Sequence, residues 1–347
     1  MKKIYTRPID IRNGVIDMTH GAGGRATNQL VSEIFAAAFD NPFLKQGHDG
    51  AVMPRPTGSL VMSCDGHVVD PLFFPGGDIG RLAVAGTVND VAVCGAKPLY
   101  LSASFILEEG LPLADLQLIV ESMAKTAREA GVYIVTGDTK VVEKGHGDRV
   151  FIATTGVGVR WENAEINGAY AKPGDAVLIT GTMGDHGITI LSHREGLDFG
   201  VDLESDTAPL NGMVEMLIQE FGQDIHVLRD PTRGGLATTL NEISHQSDVG
   251  IVLDEQSIPI RPSVSSACEF LGLDPLYIAN EGKLIVILPQ SKAKQALELI
   301  RATPHGKHAA QVATVTAENP GVVQMLTTIG GHRLVDWLNS DPLPRIC

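Results

Sequence analysis

The sequence predicts an α/β (α+β) protein of two domains with mixed sheets, followed by a short flexible tail. Three observations carry that expectation. The chain has 347 residues, enough for two domains of roughly 100–200 residues with a core each. Apolar runs of strand length and amphipathic runs of helix length interleave through both halves. A Pro/Gly break, AYAKPGD, falls near the middle and marks a boundary. The expected divisions are an extension over 1–17, domains over 18–165 and 166–337, and a tail over 338–347.

Taken in order, the loop HGAGGR (His20–Arg25) precedes an amphipathic stretch with Leu30, Val31, Ile34 and Phe35 at helical spacing. Segment 41–58, rich in Gly and Pro, reads as a long loop. SLVMSC is a strand ending on Asp65, and HVVDPLFFPGG leads through a turn into a helix from about Asp78 to Cys94, stopped by Gly95 and Pro98. LYLSASFIL is a strand. LADLQLIVESMAKTAREA is the clearest helix, with Leu113, Leu116, Val120, Met123 and Ala127 on one face. VYIVTGD is a strand ending on Asp138, and VFIATTGVGVR closes the first half. Beyond the break come the strand AVLITG, the turn GTMGDHG, a helix over 208–221, and a strand reaching Asp230. The turn PTRGG, a helix through LATTLNEIS, the strand LIVILP and a helix over 291–302 follow. The end, DWLNSDPLPRIC, holds Pro342 and Pro344 and cannot continue a helix, so an extended, solvated tail is expected.

A formal net charge of −14 counts against nucleic acid as the main partner, because phosphate-backbone binding needs clustered Lys and Arg. It leaves nucleotide binding open, since magnesium can bridge acidic protein groups and phosphates. No apolar run of about 18 residues is present to cross a membrane, and no apolar stretch follows the N-terminal Lys pair as in a signal peptide. A cytoplasmic protein is expected. The cysteines, Cys64, Cys94, Cys268 and Cys347, show no metal-ligand spacing, and the first three read as small buried residues. Cys347 stands apart because it ends an exposed tail.

Three carboxylates, Asp65, Asp138 and Asp230, each follow an apolar strand, and Asp90 lies near a helix end beside Asn89. Hard oxygen ligands held at strand ends suit magnesium, which takes one or two carboxylates plus phosphate oxygens. Singly, each also suits a turn or helix cap. The pieces HGAGGR, PGGDIG, GTMGDHG and PTRGG would let backbone N–H groups approach phosphate, yet none is a P-loop or a dinucleotide fingerprint. On residues alone the body is a candidate metal–phosphate enzyme.

The segments CDGHVVDPLFFPGGDIGRLAVAGTVNDVAVCGAKP (64–98), GDTKVV (137–142), KPGDAVLITGTMGDHG (172–187), LRDPTRGGLATTLNEIS (228–244) and NEGKL (280–284), with HGAGGR and the terminal PRIC, resemble the HypE family of hydrogenase maturation proteins. That family lies within the superfamily of aminoimidazole ribonucleotide synthetase, selenophosphate synthetase and thiamine-monophosphate kinase. The resemblance runs from about His20 to the last residue. It implies an aminoimidazole ribonucleotide synthetase-like fold, a homodimer formed through the N-terminal domain, and ATP with magnesium as cofactors. It implies that Cys347 receives a carbamoyl group from the carbamoyltransferase HypF and that ATP drives its dehydration to an S-cyano group. The cyanide then passes to iron on the HypC–HypD complex, for the nickel–iron hydrogenase site. By the same resemblance Asp65, Asp90 and Asp230 hold metal. Gly23, Gly24, Arg25, Asp78, Asn89 and Asp138 serve the nucleotide, and Lys140 and Glu281 share the proton work with Cys347 as the carrier. A selenophosphate synthetase-like phosphoryl transferase is the nearest rival, although HGAGGR lacks the reactive Cys expected there. A nucleotide-binding scaffold without catalysis is the other. For the free tail, the α-carboxylate beside the thiol should raise its pKa above about 8.5, offset in part by Arg345. The last six residues extend over about 20 Å at roughly 3.3 Å each.

Overall fold

The computed structural model describes residues 8–197, 199, 203–338, 343 and 345–347. Residues 1–7 of the expected extension lie outside that set. Its remainder is packed: Val15 bridges Pro112, Ile16 N donates to Leu111 O at 2.8 Å, and the Ile16 side chain is buried. After the loop His20–Arg25 a helix opens as α1 (Arg25–Leu30), widens into a π turn over Val31–Phe35 and closes as α2 (Ala36–Ala38).

The first half then runs β1 (Leu60–His67), a small hairpin of β2 (Phe73–Phe74) and β3 (Gly77–Asp78), α3 (Ile79–Val93), β4 (Ala96–Glu108), α4 (Leu113–Ala130), β5 (Tyr133–Val142) and β6 (Val150–Arg160). Four of these strands form a mixed sheet in the order β1-β6-β4-β5. β4 and β5 are parallel across the α4 crossover, and β6 runs antiparallel to both β1 and β4. Helices α3 and α4 cover one face. The other face stays open.

The second half comprises β7 (Asp175–Ile179), α5 (Asp185–Glu195), α6 (Asn211–Phe221), β8 (Val227–Arg229), α7 (Gly235–Ser247), β9 (Gly250–Asp254) and α8 (Pro262–Leu271), then β10 (Ile285–Pro289), α9 (Gln290–Arg301), β11 (Ala310–Thr316), β12 (Val323–Leu326) and β13 (His332–Leu334). Its seven-stranded sheet has the order β13-β12-β9-β11-β7-β10-β8, antiparallel except where β12 meets β9. Strands β7 and β10 read as continuous apolar runs because the sheet is covered on both sides. Leu178, Val286 and Leu288 join one core, while Val177, Ile179, Ile285 and Ile287 join the other.

Helix α3 ties the halves together. It is apolar almost all round, as a helix with no solvent face must be. Leu82, Val84 and Val88 sit in the core of the first sheet, and Ala92 and Val93 in a core of the second. It lies close against β6 because Gly156 and Gly158 leave room: a Cβ at Gly156 would stand 2.8 Å from Thr87, and one at Gly158 2.5 Å from Val91. Asn89, expected near the nucleotide, is instead a buried clasp between the halves. Its Oδ1 accepts from Leu210 N at 2.7 Å and its Nδ2 donates to Ala208 O at 3.0 Å. Asp78 caps α3, accepting from Gly80 N at 2.7 Å and Arg81 N at 3.0 Å. Asp78 also has a side-chain hydrogen bond with Ser122.

The expected strand limits need correction at two of the carboxylates. β1 continues through Asp65 to His67, and β5 through Asp138 to Val142, so both residues lie within strands; only Asp230 directly follows one. The apolar run shows where a strand is buried, whereas backbone pairing continues for as long as a neighbouring strand supplies partners. Replacing Asn89 with Ala should strand the Ala208 carbonyl and Leu210 N–H without partners and lower stability by about 2–4 kcal/mol. Urea unfolding will measure the loss.

Candidate active site

The site begins on the inner face of β1. Strand alternation puts Ser63, Asp65 and His67 on the side that meets α3. Ser63 Oγ donates to Asp90 Oδ2 at 2.7 Å, and His67 Nε2 lies 3.3 Å from Thr154 Oγ1 and 3.8 Å from Asp65. Burial keeps His67 below the usual histidine range, so it brings no positive charge to its neighbours.

Three loops of the second half close over this face, fastened together by Asn280. Its Oδ1 accepts from Gly184 N at 2.8 Å, and its Nδ2 donates to Pro231 O at 3.1 Å and Ile278 O at 2.9 Å. The turn Pro231–Gly235 presses on the 276–280 loop, and Gly235 is required there: its φ is +60°, and a Cβ would stand 2.5 Å from Leu276 O. Gly282 is equally fixed, since a Cβ would fall 1.7 Å from Asp206 O. Beneath it the buried pair Lys283–Asp206 closes at 2.9 Å, and Asp206 also accepts from Glu281 N at 3.1 Å.

These contacts bring Asp65, Asp90, Asp230 and Glu281 to one place. Burial, then the charges of Asp230 and Asp65, push the Asp90 carboxyl up to about 7, against a Ser63 hydrogen bond that works the other way. Glu281 is raised well above the ordinary carboxylate range by burial first, then by Asp206, Asp230, Asp65 and Asp90. Its Oε1 is buried without a hydrogen-bond partner. Among the described residues no three His, Cys, Asp or Glu side chains close into a ready-made metal cage. Carboxylates grouped in this way suit a cation that arrives with other ligands.

The chain end lies beside Glu281 and Asp65. Cys347 O accepts from Val68 N at 3.2 Å, Arg345 O from Asp70 N at 3.3 Å, and Ile346 O lies 2.8 Å from His186 Nε2. A solvated tail was expected; residues 339–342 and 344, with Pro342 and Pro344, lie outside the described residues, and of the rest Leu343 and Ile346 are buried and Cys347 is partly so. Burial pushes the thiol up to about 12; Glu281 adds to this, and a hydrogen-bonded Arg233 guanidinium opposes it. The upward direction matches expectation, but the causes differ. Arg345 does not attend the thiol; it pairs with Asp148 at 3.2 Å.

The remaining expected residues form a separate group. Asp138 and Lys140 pair with each other at 2.9 Å on β5. The register sets Asp138 opposite Ser104, Ser104 opposite Ala153, and Ala153 opposite Gly66. They therefore face the open side of the sheet, with Met62 and Cys64, and point away from Asp65. Gly21 of the glycine loop packs on Val141 of β5, while Gly23 and Gly24 are exposed with open space around their Cα atoms, and Arg25 is exposed too. A cavity of about 100 Å³ is lined mainly by apolar groups, among them Val31, Phe35 and Phe105, and also by Asp138. Lys140 and Glu281, expected to work together, are thus not brought together within one chain. Cys64 and Cys94, expected to be buried, are exposed; Cys268 is buried.

Models of the AIR synthase related protein match the chain in both halves, the N-terminal domain over residues 47–160 and the C-terminal domain over 172–325. The carbamoyl dehydratase HypE of Cupriavidus necator is 60% identical over 344 residues, covering 99% of this chain and 98% of that protein. The chain belongs to the HypE family. A solved HypE in complex with ATP superposes with a TM-score of 0.92 at 56% identity, over 95% of this chain and 99% of that one. HypE in a HypE–HypF complex does so with a TM-score of 0.79 at 51% identity, over 89% and 99%. No helix among the described residues is long and apolar enough to cross a membrane.

Arg233 and His186 were missed as site residues, although both stand inside quoted motifs, PTRGG and GTMGDHG. A glycine-rich turn signals a backbone role, which leaves a functional side chain within it without a signal of its own. The folded state holds Asp90 protonated at pH values where the unfolded chain has already ionised it, so ionisation on going from about pH 4 to pH 7 costs stability. In magnesium-free buffer at pH 8, Asp90→Asn, which keeps an oxygen for Ser63, should therefore be more stable than the parent by about 1 kcal/mol or more. At pH 4 the gain should vanish. Urea midpoints at the two pH values will test this.

Proposed function

We propose that this chain is a HypE-type carbamoyl dehydratase. It carries a carbamoyl group on Cys347 and, using ATP, removes water to leave an S-cyano group, the source of cyanide for iron in nickel–iron hydrogenase maturation. One observation carries this function: the terminal thiol is seated between Arg233 and Glu281, beside three further carboxylates. A selenophosphate synthetase-like activity would give the tail no reason to be there.

The dehydration must turn the carbamoyl oxygen into a leaving group and strip the nitrogen of its protons. ATP supplies the phosphoryl group for the first task. Glu281 is placed for the second, and its raised proton affinity lies in the direction that a base working near neutral pH needs. With a cation beside Asp65, Asp90 and Asp230 to offset their repulsion, Glu281 would be ionised and could take one proton from nitrogen; the second leaves on the departing phosphate together with the carbamoyl oxygen. Arg233 stands against the sulfur and offers N–H donors to the oxygen attached next to it. Cys347 keeps its S–C bond throughout. The orphaned Glu281 Oε1 and the raised Asp90 mark a place where the protein leaves negative charge uncompensated, which fits magnesium. Asp65, Asp90 and Asp230 would hold it, and it would neutralise phosphate oxygens there.

Lys140, Asp138 and the Gly23–Arg25 loop would reach this centre from a second copy. The open face of the first sheet exposes Leu60 (64%), Met62 (71%) and Tyr133 (50%), an apolar surface suited to a homodimer. The cavity lined in part by Asp138 suits a flat base such as adenine. On this view residues 18–165 form the ATP-binding and dimerisation domain and residues 166–337 the second domain. A HypF-type carbamoyltransferase loads Cys347, a HypC–HypD-type scaffold takes the cyanide, and the cytoplasm, where ATP is made available, is the setting.

Incubation with a carbamoyltransferase, carbamoyl phosphate and ATP should give a carbamoyl adduct on the C-terminal peptide and then loss of one water, both read by mass spectrometry. Cys347→Ala should show neither. Asp65→Ala and Asp230→Ala should each weaken magnesium–ATP binding about tenfold or more by calorimetry. A charge in the open face, Met62→Glu, should shift sedimentation from dimer to monomer.

A further inference from the structure

Two glycine-rich turns, PGGDIG and GTMGDHG, use glycine for close packing. At the start of α5 two amides are engaged within the protein: Gly184 N donates to Asn280 Oδ1 at 2.8 Å and Gly187 N to Ala279 O at 3.2 Å. The glycines are there for closeness. A Cβ at Gly184 would stand 2.9 Å from Val264, and one at Gly187 2.6 Å from Ile278 and 3.2 Å from Leu343 of the tail. The Leu343 and Ile346 side chains join the apolar cluster that contains Phe74, Ile188 and Val264.

We propose that this Gly-Asp-His-Gly turn is a seat built for the chain end, with His186 as the positioning residue that holds Cys347 at the reaction centre. His186 is fully buried, and burial holds it below the usual histidine range, so the ring is neutral. The Ile346 carbonyl can only accept, so Nε2 carries the proton and Nδ1 the lone pair. Ser205 Oγ, 2.8 Å away, therefore donates to Nδ1 and accepts in turn from Thr207 Oγ1 at 2.7 Å and Thr207 N at 3.2 Å. The donors and acceptors run one way, from Thr207 through Ser205 and His186 to the tail.

The other glycine turn buttresses that chain. Ser205 N donates to Pro75 O at 2.9 Å, and a Cβ at Gly76 would stand 2.5 Å from Ser205 O. Phe74 of the same hairpin meets the His186 ring edge-on, at 5.7 Å and 83°. Seating the penultimate carbonyl leaves Cys347 one residue further on, with Val68 N on its own carbonyl. His186 thus acts on the reaction through the tail's position and touches no reacting atom.

The seat rests on the dehydratase function for its purpose, but its test needs neither ATP nor a carbamoyl donor. Full-length protein is treated with iodoacetamide, and mass spectrometry follows alkylation of the Cys347 peptide relative to the peptide with exposed Cys94. His186→Phe keeps an aromatic ring and removes the N–H; it should raise the Cys347 to Cys94 ratio about tenfold, the worth of one buried hydrogen bond. His186→Gln, which restores a side-chain N–H, should bring the ratio back to within about threefold of the parent. Ser205→Ala, leaving the ring in place, should raise it severalfold. An unchanged ratio in His186→Phe, or a Gln variant as reactive as the Phe variant, overturns the assignment. If His186→Phe unfolds, buried Cys268 reacts as well, and Ser205→Ala then decides: no rise in its ratio rejects the seat.

Discussion

The repulsion among Asp65, Asp90, Asp230 and Glu281 is what the rest of the molecule is organised to withstand. Left alone, carboxylates so placed would spread apart or stay protonated, and Asp90 and Glu281 are in fact raised. Their backbones are held by groups that cannot follow. Asp65 lies in a strand paired along its full length with β6, and Asp90 in a helix buried between two cores. Asp230 and Glu281 sit on loops that Asn280 fastens together and glycines allow to touch. Stability given up at this point is characteristic of a site formed for a ligand that brings the opposite charge.

The seated thiol obeys the same electrostatics. A thiolate at Cys347 would be buried and would add to the crowded negative charge: burial first, then Glu281, pushes the group up to about 12. A carbamoyl thioester bears no charge, so the seat prefers the loaded tail to an ionised empty one. Attack on a carbamoyl donor requires a thiolate, and the seat disfavours it. A seat that disfavours thiolate suits dehydration of a loaded tail better than loading of an empty one.

Much of this was legible in the sequence. The interleaved elements, the amphipathic α4 and the apolar β7 and β10 follow from side-chain periodicity, which the fold obeys. The motifs around Asp65, Asp90, Asp230 and Glu281 pointed to the residues that meet. What periodicity does not record is facing. Asp65 and Asp138 look alike as acids after apolar runs, yet the pairing Asp138–Ser104–Ala153–Gly66 puts them on opposite sides of one sheet. Glycine was equally ambiguous: Gly23 and Gly24 stand in open space, whereas Gly184, Gly187 and Gly282 serve close packing. Only the fold separates the two uses. Asn89 and Asp78 lay in the right segment for a site, but their hydrogen bonds are spent on holding α3.

The hydrogen bonds of the tail to Val68, Asp70 and His186 are all made within one chain. A substrate carried this way meets its site at an effective molarity fixed by tether and seat, whatever the concentration of the protein. Saturation in the ordinary sense does not apply to it. Once loaded, each chain of an intact dimer would process its own cargo at a first-order rate, and dilution would slow it only by parting the two copies.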